Sequence, residues 1–188
     1  MHKVTLASDS LAVGHGSTLR APTAGLATLR FEGRAQLDAP PGTVFEMVSD
    51  PTLLHRWLPF LRKVQMDHSK SEMPAQCAAG SRRHCSFRGM GDVEEGIFWW
   101  NPPHGYGFHF APQGRGRLMT PTTNHSNFFL VAPDGDGGSL FTIRVHFEWR
   151  GLLMRHLAVR MMPMMLNMGF DNLRREFGGR GGKMRRVG

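Results

Sequence analysis

The most regular pattern in the chain lies over residues 140–150, where Phe141, Ile143, Val145, Phe147 and Trp149 alternate with Thr142, Arg144, His146 and Glu148. Period two with one polar face predicts a half-buried antiparallel strand. The same alternation sets Leu29, Phe31, Gly33, Ala35 and Leu37 against Arg30, Glu32, Arg34 and Gln36, and predicts a first strand beginning near Leu26. Pro40, Pro41 and Gly42 end it. Thr43 then caps a short helix, with Glu46 completing a capping box, and Thr52–Trp57 forms a second. Further strands are expected at Leu61–Met66, Ser81–Phe87, Gly91–Trp99, Tyr106–Phe110 and Thr122–Val131, with Pro133–Gly138 as a hairpin loop.

After Gly151 the period becomes helical. Leu152–Phe177 carries Leu166, Phe170, Leu173 and Phe177 on one stripe and Met154, Ala158, Met161, Met165 and Met168 on the next. A face this wide suits a helix laid across a sheet. Two readings of the Met stripe stay open, core filling or the adaptable wall of a cavity. Pro163 cannot donate to the carbonyl of Val159, so a bend is expected there. That bend would set Met161, Met165 and Met168 along a cavity, and Phe170, Leu173 and Phe177 on solid core. The element order defines an α+β class: a curved antiparallel sheet of about seven strands wrapped on one long C-terminal helix, with two short helices after the first strand. Residues 1–25 read as a flexible tail, 26–177 as the folded domain, and 178–188 as a solvated, basic Gly/Arg-rich tail.

Composition adds limits. A chain of 188 residues that is 40% hydrophobic fits one domain with a real core. The formal net charge is +8, much of it in Arg174, Arg175, Arg180, Lys183, Arg185 and Arg186. Such a tail allows weak contact with an anionic membrane or nucleic acid. The two cysteines, Cys77 and Cys85, make no disulfide framework, and a reduced, cytoplasmic setting is expected. No stretch supplies the ~18 uncharged apolar residues of a membrane span. The N-terminus lacks the apolar core of a secretory signal. None of the 10 histidines shows supported ligand spacing, so no metal and no cofactor is expected. Signatures of a Ser or Cys nucleophile and of a phosphate-binding loop are absent.

The stretch LDAPPGTVFEMVSDPTLLHRWLPFLRKV resembles the opening of the START-like superfamily, which includes polyketide cyclases and dehydratases, birch-pollen-allergen-type carriers and coenzyme Q-binding proteins. Ala39-Pro40 closes a strand, Val44-Phe45 and Ser49-Asp50 follow, and Trp57 and Pro59 precede the return to strand at Val64. Gly80-Ser81-Arg82-Arg83, the Pro–Gly-rich hairpin and the terminal helix continue the order. The resemblance runs from about Leu26 to Phe177 and implies a helix-grip fold with a cavity between sheet and helix. Mapped onto this chain, the ligand-binding lining would include Trp57, Trp99, Tyr106, Phe108, Phe129, Ile143, Val145, Met161, Met165 and Met168.

Polar groups decide what such a cavity does. His125, Tyr106 and Asn127 are the candidates for moving protons or polarising a carbonyl. Two hairpin registers are open. If Phe129 pairs with Ile143, His125 and Asn127 point inward. If Phe128 pairs with Ile143, they point to solvent. The resemblance favours the first. Glu94 or Glu95 could act as a base; alternation places only one of them inside, and Glu95 shares a face with Val93, Ile97 and Trp99. The leading functional expectation is binding of a small hydrophobic ligand of lipid, polyketide or isoprenoid type. The alternative is a polyketide cyclase/dehydratase-type enzyme that closes a poly-carbonyl chain by intramolecular aldol chemistry, chiefly by holding it in a reactive shape. A third is a regulatory interaction module using the basic tail.

Overall fold

The computed structural model describes residues 27–73, 75–89, 91–112, 122–149 and 152–187. The segment 1–25, expected as a tail, lies outside them. The first strand, β1 (Ala27–Leu37), leads into α1 (Pro41–Ser49) and α2 (Leu54–Trp57). Six strands follow: β2 (Leu61–Asp67), β3 (Arg82–Phe87), β4 (Gly91–Asn101), β5 (Gly105–Pro112), β6 (Thr122–Pro133) and β7 (Ser139–Trp149). The long helix α3 spans Leu152–Phe177, and two short strands close the chain, β8 (Arg180–Gly181) and β9 (Arg185–Arg186). The α+β class holds, and among the described residues one sheet holds the seven longer strands together with the two-residue β8 and β9. Its order is β2-β3-β4-β5-β6-β7-β1-β8, with β9 also on β1.

The local chemistry explains most boundaries. Helix α1 starts at Pro41, not at a Thr43 cap, and no side chain caps it. Proline in the first turn gives up an N–H that would lack a helical partner anyway. The Asp50 carboxylate accepts from both the Thr52 amide and the Thr52 hydroxyl at 2.7 Å, and α2 follows at Leu54. The pair β1–β7 runs in continuous register from Ala27–Trp149 to Leu37–Ser139, so the two cleanest alternations in the sequence meet on one inner face. Leu29, Phe31, Phe141, Ile143, Val145 and Phe147 are all buried there.

Helix α3 presses Leu166, Phe170 and Leu173 into that core. Gly169 meets the Trp57 ring so closely that an added Cβ would lie 3.2 Å from it. The stripe centred on these residues faces inward, as expected for Leu166, Phe170 and Leu173. The Met stripe does not. Met161 is 45% exposed and Met168 38%, as is neighbouring Met164 at 54%. The expectation that Met161 and Met168 line a cavity is corrected: they lie on the outer face. Met165 is half-buried, and the side chains of Met154 and Ala158 lie outside the described residues. Pro163 sits within the continuous helix.

The C-terminal segment is not a solvated tail either. After Gly178 it folds back along β1, pairing Gln36 with Arg180, Ala35 with Gly181, and Glu32 with Arg185. Met184 is buried against the core, and its N–H donates to the Asn167 side chain at 2.8 Å. Glycine permits this route. Gly179 has φ +99°, and an added Cβ would lie 2.1 Å from the Gln36 carbonyl oxygen. Arg180, Lys183, Arg185 and Arg186 remain exposed.

Candidate functional site

The inner face of the sheet is largely apolar, with polar groups on β3, β4 and β6. On β3 the alternation Ser81, Arg83, Cys85 and Phe87 turns inward, and on β4 Val93, Glu95 and Ile97 do the same. The antiparallel register pairs Arg83 directly with Glu95. Arg83 Nε donates to Glu95 Oε2 at 2.5 Å, with both side chains almost wholly buried. Burial opposes the guanidinium charge, but the Glu95 carboxylate more than restores it, so Arg83 is held more firmly protonated than in water. Its Cζ lies 5.5 Å from the Tyr106 ring centre and 5.3 Å from that of Phe108, within cation–π range. Its Nη2 has no hydrogen-bond acceptor among the described residues. Cys85 Sγ is 3.8 Å from the same carboxylate oxygen. Burial and that negative charge push the thiol up, so Cys85 is held as a neutral thiol.

His125 and Asn127 both face inward. Phe129 pairs with Ile143 and Asn127 with Val145, the first of the two registers. A register shift follows between Thr123 and Ser126, yet His125 still packs between Phe110, at 4.6 Å, and Phe147, at 5.2 Å. Neither ring nitrogen of His125 has a hydrogen-bond partner among the described residues. Burial pushes its pKa down to about 3, against a smaller opposing effect of Asn127, so the imidazole is neutral at pH 7. Phe110, which touches His125, pairs across strands with Glu95. His125 and the ion pair therefore flank one aromatic ring.

Tyr106 is fully buried, but its hydroxyl donates to the Val48 carbonyl at 2.6 Å. Burial also raises its pKa. The phenol proton thus ties β5 to α1 and is not free to protonate a ligand. Phe108, Phe129, Ile143 and Val145 are buried on the inner face, and Trp57 is buried at the end of α2. Trp57 packs edge-on against Phe129 and Phe141, and its indole N–H has no acceptor among the described residues. Trp99 is a correction. An irregularity between Ile97 and Trp99 puts Trp99 opposite Gly107 and Trp100 opposite Tyr106. The extra residue reverses the alternation. Trp99 thereby joins Phe128 on the outer face, and Trp100 takes the inner position against Phe45 and Tyr106.

The sequence reading passed over Arg83 as a site residue. The signal was present, because an arginine in phase with Cys85 and Phe87 is an inward charge, and such a charge needs a partner. Two open depressions, of about 590 and 510 Å³, lie elsewhere. Asp38, Asp134 and Asp136 line the first, Arg34, Arg174 and Lys183 the second. Neither touches the inward polar groups. Among the described residues no cluster of His, Cys, Asp and Glu could hold a metal ion, and no helix is long and apolar enough to cross a membrane.

This sheet, gripping one long helix with polar groups on its inner face, is a helix-grip domain. Residues 28–178 match the family described as polyketide cyclase / dehydrase and lipid transport, and the chain belongs to that family. Solved structures of the same fold include a protein from Thermobifida fusca, 20% identical, with a TM-score of 0.61 over 80% of this chain and 93% of that one. Norcoclaurine synthase from Thalictrum flavum, solved in complex with dopamine and hydroxybenzaldehyde, is 12% identical, with a TM-score of 0.60 over 90% of this chain and 96% of that one. A conserved protein from Geobacillus kaustophilus is 14% identical, with a TM-score of 0.59 over 79% and 94%. At these identities the likeness is one of fold. Comparison with curated proteins finds no match.

Proposed function

We propose that the protein binds a small hydrophobic molecule, of lipid, polyketide or isoprenoid type, between the inner face of the sheet and α3. The observation that carries this reading is a set of inward polar groups, Arg83, Glu95, His125 and Asn127, among aromatic side chains in the interior. A core built for stability alone gains little from them, since a buried ion pair rarely outperforms apolar packing and an unmatched donor is a cost. In a binding site, few polar groups among many apolar ones fix a ligand's orientation. Family membership supports the same reading.

A second reading, catalysis of aldol closure or dehydration, is favoured by one arrangement: neutral His125 and Asn127 lie two residues apart on the same inward face. A neutral imidazole is competent to take a proton. Tyr106 does not serve that reading as a donor, because its proton is engaged by Val48.

The test is titration of the purified protein with Nile red, a neutral apolar dye, together with native mass spectrometry for co-purifying small molecules. Saturable dye binding that a neutral lipid displaces supports the proposal. A folded protein that takes up neither dye nor lipid overturns it. His125→Ala separates the two readings: binding that survives with loss of turnover assigns His125 to chemistry.

A further inference from the structure

Among the described residues, the interior polar set is electrically balanced, and its unmatched groups are mainly donors. Of the charged side chains the sheet buries, Arg83 and Glu95 face inward, and they pair with each other. Glu148, the third, lies on the opposite face of β7 from Phe147. The remaining inward titratable groups are neutral at pH 7: the Cys85 thiol, the Tyr106 phenol and the His125 imidazole. What is left over is the pair of N–H groups of Arg83 Nη2, the N–H of Trp57 Nε1, and one N–H and one lone pair on His125.

Resting on the reading of the interior as a hydrophobic ligand site, we propose that its ligand is electrically neutral and carries a hydrogen-bond-accepting oxygen, a ketone, quinone or ester, which Arg83 Nη2 receives. A carboxylate is excluded by the same geometry. Glu95 already neutralises the guanidinium at 2.5 Å, so a second carboxylate would bring a net negative charge into an apolar interior. A neutral carbonyl takes a free N–H without disturbing the ion pair, and a charged donor makes that hydrogen bond a strong one. The Tyr106 and Phe108 rings over which the guanidinium lies restrict where its free edge can point.

Three chain-matched probes test this at pH 7 by displacement of Nile red: tridecane, 2-tridecanone and tridecanoic acid, the last ionised. The ketone is expected to bind at least about tenfold more tightly than the acid, a free-energy difference of about 1.4 kcal/mol. The charge-balanced double variant Arg83→Met/Glu95→Gln should bring the ketone down to the affinity that the same variant shows for tridecane. Equal or tighter binding of the acid overturns the proposal while leaving the ligand-binding reading intact. So does ketone binding that the double variant does not weaken. If none of the three probes binds the folded wild type, the underlying reading fails and this inference with it. Should the double variant not fold, the wild-type ketone-to-acid ratio still decides.

Discussion

Two walls of the interior are built differently. The wall of β1, β7 and α3 is a ring-packed apolar solid: Phe31 stacks on Phe147 at 6.0 Å, Phe141 meets Phe170 edge-on at 5.9 Å, and Leu29, Ile143 and Leu173 are wholly buried. The wall of β3 and β4 places an ion pair, a thiol and an unmatched N–H at equivalent inward positions. Both come from period-two strands, so the contrast lies in side-chain choice and not in backbone. Apolar packing stabilises wherever it fits. A buried charge pair stabilises little by itself and is costly to break. The first wall holds the domain together, and the second gives its interior chemical identity.

The largest effect should follow from breaking the second wall at one partner. Arg83→Met leaves Glu95 as a buried, unpaired carboxylate and should cost about 3–5 kcal/mol. Phe141→Ala in the first wall should cost about as much through cavity formation. A double-mutant cycle in urea separates the two mechanisms. Adding Glu95→Gln to Arg83→Met should give a coupling above about 1 kcal/mol, whereas Phe141→Ala with Glu95→Gln should be additive. Additivity in both pairs would mean that the walls do not differ as argued.

The first wall is completed from outside by the returning C-terminal segment, whose Met184 packs beneath Gly33 and Phe170. Met184→Ala should therefore cost about 2–3 kcal/mol, in the range of buried Met truncations, as read by thermal unfolding. A change within about 0.5 kcal/mol, the level of exposed sites, would show the segment to be loosely held.

His125 stands where the two walls meet, between Phe110 and Phe147. Its pKa falls from an ordinary 6.5 to about 3 in the folded chain. As pH drops below about 6.5 the unfolded chain takes up this proton and the folded chain does not. The stabilisation is thus fully present above pH 6.5 and is lost as pH falls toward about 3. By pH 5 the loss should be on the order of 2 kcal/mol. His125→Phe should remove that part of the acid sensitivity. Parallel stability–pH curves for wild type and variant would contradict a buried, neutral His125.

The fold was legible because the alternations at 29–37 and 141–149 admit one arrangement in which both apolar faces are covered. The inward direction of His125 and Asn127 was legible only as one of two registers, and pairing of Phe129 with Ile143 selects it. The position of Trp99 was not, since a single extra residue in β4 reverses the face and leaves no compositional mark. The C-terminal segment misled through composition. Gly and Arg in a run read as disorder, yet these glycines adopt positive φ and let the backbone approach β1. The Arg83–Glu95 pair needed only the strand phase plus a short hairpin to bring the two residues opposite each other.

The smallest effect concerns the residues on which the sequence was most ambiguous. Helix α3 carries two apolar stripes of similar strength, and periodicity alone does not say which is buried. Gly169 decides it, because the absence of a side chain there lets the Trp57 ring sit against the helix. The Leu166–Phe170–Leu173 stripe then faces the first wall, and Met161, Met164 and Met168 turn to solvent. The triple variant Met161→Gln/Met164→Gln/Met168→Gln should shift stability by less than about 0.5 kcal/mol per site, as for exposed positions. It should leave Nile red affinity within twofold of wild type, about 0.4 kcal/mol. Leu166→Ala, one turn away on the other stripe, should cost about 2–5 kcal/mol. A large loss of dye binding in the triple variant would place these Met side chains on the ligand's path and make α3 part of a third wall.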